Sequence, residues 1–381
     1  MVTIMFTCMV ILLLLAFPMM TSVIIGPIAV LYIYYDAISP DMLVQQMVSG
    51  VRLMSLIAIP LFIFSAGIMT KGTTADRLIK LALSLIQHHK GGLGIATAWA
   101  CTVFGAISGS SQATVVAMGQ TLLPRLVSLG YSSSFSLALL ISSANIALLI
   151  PPSMAFIIYG VVTGSSVGKL FIAGILPGIL LAIFFSIYTF INAWVVGVPT
   201  HDRLTWRDRW QAFKSALPAL GFPILIIGGI YSGLTSPNEA AGISLLYAVI
   251  LEMGVYRTIN LKDIYDVALE TGVVTTVVFI LIAVGAAFSW LITFAQIPSQ
   301  VLPVIFGENP SPIYTLYVIT AIYFVACMFI DSVVAIMVIT PIIFPLAKSV
   351  GIDPIVLGVI VTTQAALGGI TPPFGCNIFT A

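Results

Sequence analysis

The chain has 381 residues, of which 60% are hydrophobic and only 7% charged, against about 25% charged in an ordinary soluble domain. Too few polar side chains exist to cover a water-facing surface, so the natural solvent of this chain is lipid. A formal net charge of +1 implies no acidic partner such as nucleic acid, and the scattered Cys8, Cys101, Cys327 and Cys376 lack the paired spacing of a disulfide framework or metal site.

In chain order, apolar runs lie at 2–17, 19–35, 51–70, 93–128, 133–163, 169–198, 215–234, 240–256, 271–296, 312–347 and 354–380. A spanning helix needs about 20 apolar residues, so these runs predict an all-α polytopic membrane protein with short loops. Residues 2–35 read as membrane helix broken near Pro18 rather than as a signal peptide, because the first basic residue is Arg52. The stretches 38–49, 74–90 and 257–270 are amphipathic and predict helices lying along the interface.

Basic residues cluster at Lys71, Arg77, Lys80 and Lys90, at Arg203, Arg207, Arg209 and Lys214, and more weakly at Arg257 and Lys262. The segments 36–49, 233–239 and 297–311 contain no lysine or arginine. Placing the clusters in the cytoplasm demands an even number of crossings between the first two, and 133–163 with 169–198 supplies that number. The run 93–128 must then enter and leave on one side, as a re-entrant hairpin open to the cytoplasm. By the same count 312–347 is a hairpin open to the outside.

Residues 110–160 align without gaps on 331–381 at an offset of 221. Identities fall at Ser111/Ser332, Pro124/Pro345, Ser128/Ser349, Gly130/Gly351, Ala144/Ala365, Pro151/Pro372, Pro152/Pro373 and Ile157/Ile378. Paired Pro-Pro dipeptides on one register point to internal duplication. The copies run in opposite senses through the membrane, as in many secondary transporters. The division expected is a first inverted repeat at 1–199 (hairpin 93–128, broken helix 133–163), a cytoplasmic basic linker at 200–214, and a second repeat at 215–381 (hairpin 312–347, broken helix 354–380). Residues 161–199 of the first repeat have no counterpart before Ala381, so a final span is expected to be missing from the second.

Each copy holds two irregular places at membrane depth. The tips are Gly105–Ser111 and Cys327–Ser332, and the breaks are Asn145–Ser153 and Gly368–Phe374. Adjacent prolines supply no N–H and interrupt a helix. The carbonyls near 147–150 and 368–371 then lose their donors, at several kcal/mol each in hydrocarbon. A dehydrated cation beside a hydroxyl satisfies them, while half-helix N-termini favour an anion. Ser108, Ser110 and Ser111 supply hydroxyls at one tip. Asp331 is the single acidic residue of the second hairpin, and an acidic group at this depth is functional by default, though it also suits a helix cap.

The segments FGAISGSSQAT, LLIPPSMAFIIYG, GKLFIAGILPG and GGITPPFGCNIF resemble the large membrane subunit of the tripartite ATP-independent periplasmic (TRAP) transporters, within the ion-transporter superfamily. The resemblance implies an inverted-repeat elevator in the bacterial inner membrane. In it a scaffold (about 1–70 and 169–270) holds a moving transport domain (about 93–163 and 312–381). It implies a small four-helix membrane subunit and a periplasmic binding protein as partners, with sodium-driven uptake of a small carboxylate such as a C4-dicarboxylate or a sialic acid. Carried onto this chain, one sodium site involves Ser108, Ala147, Ile150 and Pro152, and the other Cys327, Gly368, Thr371 and Phe374. Ser108, Ser110, Ser111 and Asp331 are the implied substrate residues.

The alternative is a stand-alone sodium-coupled carboxylate symporter or antiporter of the same superfamily. An intramembrane hydrolase at Ser108–Ser111 lacks a base: His88, His89 and His201 lie in polar stretches, and Asp331 has no partner aspartate. No Walker motif is present. A sodium ion moving inward gains about 2.3 kcal/mol per 100 mV, enough for two ions to outweigh one carboxylate.

Overall fold

The computed structural model describes residues 2–35, 38–200, 203–307, 310–373 and 375–381; His201 and Phe374, named above, lie outside them. Among the described residues every regular element is a helix. The first group is α1 (Val2–Leu14), α2 (Met19–Tyr34), α3 (Asp41–Val51), α4 (Ala58–Lys71) and α5 (Thr74–Ile86). There follow α6 (Gly92–Ser108), α7 (Ser111–Ser128), α8 (Ser133–Ala144), α9 (Met154–Thr163), α10 (Val167–Val196), α11 (Trp206–Tyr231) and α12 (Pro237–Val249). The chain closes with α13 (Leu261–Phe294), α14 (Ile297–Phe306), α15 (Pro312–Phe329), α16 (Ser332–Ser349), α17 (Pro354–Gly368) and α18 (Cys376–Thr380).

Local chemistry sets many of these boundaries. Ser132, Ser166, Thr205, Ser236, Asn260, Ser311, Asp331 and Asp353 each accept a first-turn N–H at the start of a helix, the role for which short polar side chains are preferred. Ser236 with Glu239, and Asn260 with Asp263, form reciprocal capping boxes.

Among the described residues, seven helices are long and apolar enough to cross a membrane: those spanning Met54–Lys71, Val167–Val196, Trp206–Tyr231, Pro237–Val255, Leu261–Phe294, Pro312–Phe329 and Ser332–Ser349. Much of α10 presents large apolar side chains outward, among them Leu176, Phe184, Tyr188 and Trp194. Such a surface suits a bilayer and not water.

Three boundaries depart from the sequence reading. The stretch 200–214 is not wholly a linker, because α11 begins at Trp206, where Thr205 caps it. The amphipathic stretch 257–270 and the span 271–296 are not separate; α13 runs through both for 34 residues, since no proline lies between them. The segment 297–311 contains α14, with Pro298 tolerated in its first turn.

The two hairpin units coincide at the sequence offset. Residues α7 111–128 and α16 332–349 match at both ends, α6 and α15 end at Ser108 and Phe329, and α8 and α17 begin at Ser133 and Pro354. Around them, α4 packs between α12 and α13, α5 lies between α6 and α11, and α16 lies against α9 and α13. Tyr159 and Tyr323 are fully buried within this packing; Tyr323 pairs with Thr340 at 2.6 Å and Tyr159 donates to the Pro354 carbonyl at 2.8 Å.

One buried carboxylate fastens the start of α5. Glu252 sits in the π-helical turn Ile250–Val255 that follows α12. It accepts the N–H groups of Thr73 (3.2 Å) and Thr74 (3.1 Å) and the hydroxyls of Thr74 and Thr258. A Cβ on Gly72 would sit 2.2 Å from this carboxylate, so a side chain there would have to push Glu252 off its donors. Nearby, the Arg77 guanidinium lies 3.8 Å from the Tyr256 ring centroid and bonds Ser215, tying α5 to α11.

Candidate functional site

Both hairpin tips press against the helix breaks with main chain at contact distance. A Cβ on Gly105 would lie 2.7 Å from the Ala147 Cβ, and one on Gly368 would lie 2.3 Å from the Cys327 Cβ. A Cβ on Gly109 would lie 2.4 Å from the Pro152 carbonyl oxygen, at a φ of +61°. Glycine is required at these points because any side chain would wedge tip and break apart. Main-chain bonds complete the junctions: Met154 N–H donates to the Gly109 carbonyl (3.4 Å) and Gly375 N–H to the Met328 carbonyl (3.3 Å).

The breaks themselves follow from the prolines. After α8 the chain tightens into a 3-10 turn at Asn145–Leu148, then passes Pro151 and Pro152 before α9 starts at Met154. In a continuous helix residues 151 and 152 would donate to the carbonyls of Ala147 and Leu148, and proline cannot. The Ser153 hydroxyl takes the Leu148 carbonyl, and the N–H groups of Leu149 and Ile150 both take Ile146. In the second break, Pro372 and Pro373 withdraw the donors for Gly368 and Gly369. Thr371 N–H returns to the Gly368 carbonyl at 3.0 Å, Asn377 N–H to Gly369 at 3.1 Å, and the Thr371 hydroxyl to Leu367 at 2.7 Å.

The expected site residues divide accordingly. Ser108, Ala147 and Pro152 converge where the first tip meets its break, all buried. The Ser108 hydroxyl pairs with Thr114 Oγ1 at 2.8 Å and donates to the Ser110 carbonyl at 3.1 Å. Ile150 turns its side chain away, onto Ala106, Ile146, Ala182 and Gly178. Cys327, Gly368 and Thr371 gather at the second tip, and Phe374 lies outside the described residues. Carbonyl and hydroxyl oxygens are the polar groups at both junctions, the ligand type that hard cations take.

Between the tips lies a narrow crevice lined by Ser111, Gln112, Asn145, Asp331, Ser332 and Asn377 among others. Of the four expected substrate residues, Ser111 and Asp331 reach it. Ser110 caps α7, accepting the Ala113 N–H at 3.4 Å while its hydroxyl donates to Gln112 Oε1 at 3.2 Å. Asp331 caps α16 through the Val333 N–H at 2.8 Å, with Cys376 beside it in the lining. The free volume is about 10 Å³, the least that one water occupies.

Sequence reasoning missed Asn145, Asn377, Gln112 and Thr114. Asn145 Nδ2 donates to the Ala366 carbonyl at 2.8 Å, Asn377 Nδ2 donates to Asn145 Oδ1, and the Ser111 hydroxyl donates to Asn377 Oδ1 at 3.2 Å. A sequence signal existed, since both asparagines lie in otherwise apolar runs beside a Pro-Pro break.

Comparison with known proteins bears on this arrangement. Residues 6–381 match the family described as the DctM component of the tripartite ATP-independent periplasmic transporters. The chain is 51% identical over 377 residues to the ectoine/5-hydroxyectoine TRAP transporter large permease protein UehC of Ruegeria pomeroyi, covering 99% of this chain and 88% of that one. It is 50% identical over 382 residues to the ectoine TRAP transporter large permease protein TeaC of Halomonas elongata, covering 100% of this chain and 90% of that one. Among solved structures, the YdaH transporter of Alcanivorax borkumensis shares the fold with a TM-score of 0.63 at 13% identity, over 88% of this chain and 79% of that one.

Proposed function

Because the chain belongs to the DctM component family of the tripartite ATP-independent periplasmic transporters, a multi-pass inner-membrane permease family whose relatives are carriers and not enzymes, we propose that it is the large permease of a sodium-coupled ectoine uptake system. The family's tripartite organisation brings a small membrane subunit and a periplasmic binding protein as partners. The observation that carries the substrate reading is half identity, over nearly the whole chain, to two permeases named for ectoine. This reading replaces the C4-dicarboxylate or sialic acid expected above with a zwitterionic monocarboxylate.

The chemistry of the crevice supports that choice. Among the described residues its lining holds one carboxylate, Asp331, with neutral amides and hydroxyls, and no lysine or arginine. A dianion would meet Asp331 without a protein cation to offset it. Ectoine is a zwitterion that carries its own cationic amidine beside its carboxylate, so its net charge makes no such demand. Half-helix N-termini at α7, α9 and α16 face the tips and favour the carboxylate end.

In this reading sodium binds where each tip meets its break. Ser108, Ala147, Ile150 and Pro152 serve one site, and Cys327, Gly368 and Thr371 the other. Filling both sites draws tips and breaks together behind the substrate. The two hairpins and broken helices then travel as one body past the scaffold, the small subunit extending that scaffold. Release follows on the cytoplasmic side, where sodium is scarce.

The test is uptake of radiolabelled ectoine into proteoliposomes holding the full-length permease and its small subunit, with the cognate binding protein outside. Uptake should require an inward sodium gradient and increase with an inside-negative potential. Equal uptake with potassium replacing sodium would defeat the coupling, and uptake of free ectoine without the binding protein would favour a stand-alone carrier.

A further inference from the structure

We propose that Asn145 and Asn377 form a bridge that makes the two sodium sites one cooperative unit, acting as positioning residues for transport. The inference rests on the sodium reading above and adds to it a physical link between the sites.

The link is short and continuous. Asn145 belongs to the turn that holds Ala147, and its side chain reaches across the repeats to the Ala366 carbonyl, 2.8 Å away and two residues before Gly368. Asn377 receives support from the other direction: its N–H donates to the Gly369 carbonyl at 3.1 Å, and its side chain joins Asn145 and Ser111. Ser111 opens α7, one residue beyond the tip formed by Gly109 and Ser110. The first tip, both breaks and the residues flanking Gly368 are therefore joined through two amides. Asn145 and Asn377 are 4% and 1% exposed, so water offers no substitute partner and each broken bond leaves an unpaired polar group.

The bridge has no second copy. At the offset of 221, Asn145 corresponds to Ala366, the residue whose carbonyl it binds, and Asn377 corresponds to Phe156. A pair that ignores the internal symmetry joins the repeats to each other and serves no purpose within either. An ion that orders one break fixes the amides, and the amides fix the other break. By linkage the effect is mutual: each ion raises the affinity for its partner by the same factor.

The sodium dependence of ectoine uptake in the three-component proteoliposomes reads this directly. For two coupled sites the Hill coefficient approaches about 2 in the parent protein, and it should fall toward about 1 in Asn145→Ala and Asn377→Ala. The double variant should resemble either single one, because removing one end already removes the bridge. An unchanged Hill coefficient, or losses that simply add, would overturn the proposal. If the alanine variants do not fold, Asn377→Asp keeps the volume and the acceptor for Ser111 but removes the donor to Asn145; a flattened sodium curve supports the bridge, and an unaltered curve overturns it. A parent protein indifferent to sodium would instead overturn the sodium reading, a result visible before any variant is made.

Discussion

At the scale of single residues, Thr371 and Asp331 are where the proposed ion and substrate roles can be tested separately. Thr371 offers a hydroxyl beside the Gly368 carbonyl, and that hydroxyl already donates to Leu367, leaving its lone pairs for a cation. Thr371→Ala should raise the sodium concentration for half-maximal uptake about tenfold, some 1.4 kcal/mol, with the maximal rate largely kept; sodium titration of uptake checks it. Asp331→Asn keeps the cap on α16, since asparagine serves as well as aspartate, and removes the charge. Ectoine uptake should fall at least tenfold while thermal unfolding in detergent is unchanged, and normal uptake would show that the carboxylate does not serve the substrate. The residues around both breaks were legible in the sequence because proline withdraws specific donors: Pro151 points back to Ala147 and Pro372 to Gly368. Asn377 was not legible in the same way. Its partners come from three other elements, and its symmetry counterpart, Phe156, carries no polar signal.

At the scale of elements, the close approach of tip to break makes glycine the vulnerable residue. Gly109→Ala must hold a left-handed conformation costing about 1–2 kcal/mol and also place a methyl 2.4 Å from the Pro152 carbonyl. Uptake should be abolished even where the protein remains monodisperse on size exclusion. Removal of the Glu252 clasp acts on stability instead. Glu252→Ala leaves two N–H groups and two threonine hydroxyls without their acceptor, so about 3 kcal/mol of stability should be lost, read as a lower unfolding temperature. Helix starts were readable wherever a serine, threonine, asparagine or aspartate precedes an apolar run, as at Ser132 and Asp353. The continuity of α13 was not, because a change from amphipathic to apolar composition at residue 270 resembles a boundary, and only hydrogen bonding across that point shows that the helix continues. Glu252 escaped notice because its main-chain donors lie nearly 180 residues away, at Thr73 and Thr74.

At the scale of the whole molecule, the apolar faces are as informative as the core. Val273 and Val277 stand outward on α13, 67% and 55% exposed, while Ile282, Ala287 and Phe288 on the same helix are buried. A charge on the outward stripe should oppose insertion by about 3 kcal/mol. Val277→Asp is therefore expected to reduce the membrane-integrated yield several-fold, and an undiminished yield in washed membranes would show that this stripe does not meet lipid.

The length of α13 carries a mechanical consequence. Its 34 residues span about 51 Å, well beyond a hydrocarbon layer of about 30 Å. Its charged residues, Lys262, Asp263, Asp266 and Glu270, all lie in the first ten positions. That end cannot sink without dragging several ionised groups into oil, and the other end is tied by the tight turn into α14. In the elevator reading proposed above the helix serves as a keel: it keeps its own depth in the bilayer, and vertical travel is left to elements that slide past it, α16 among them.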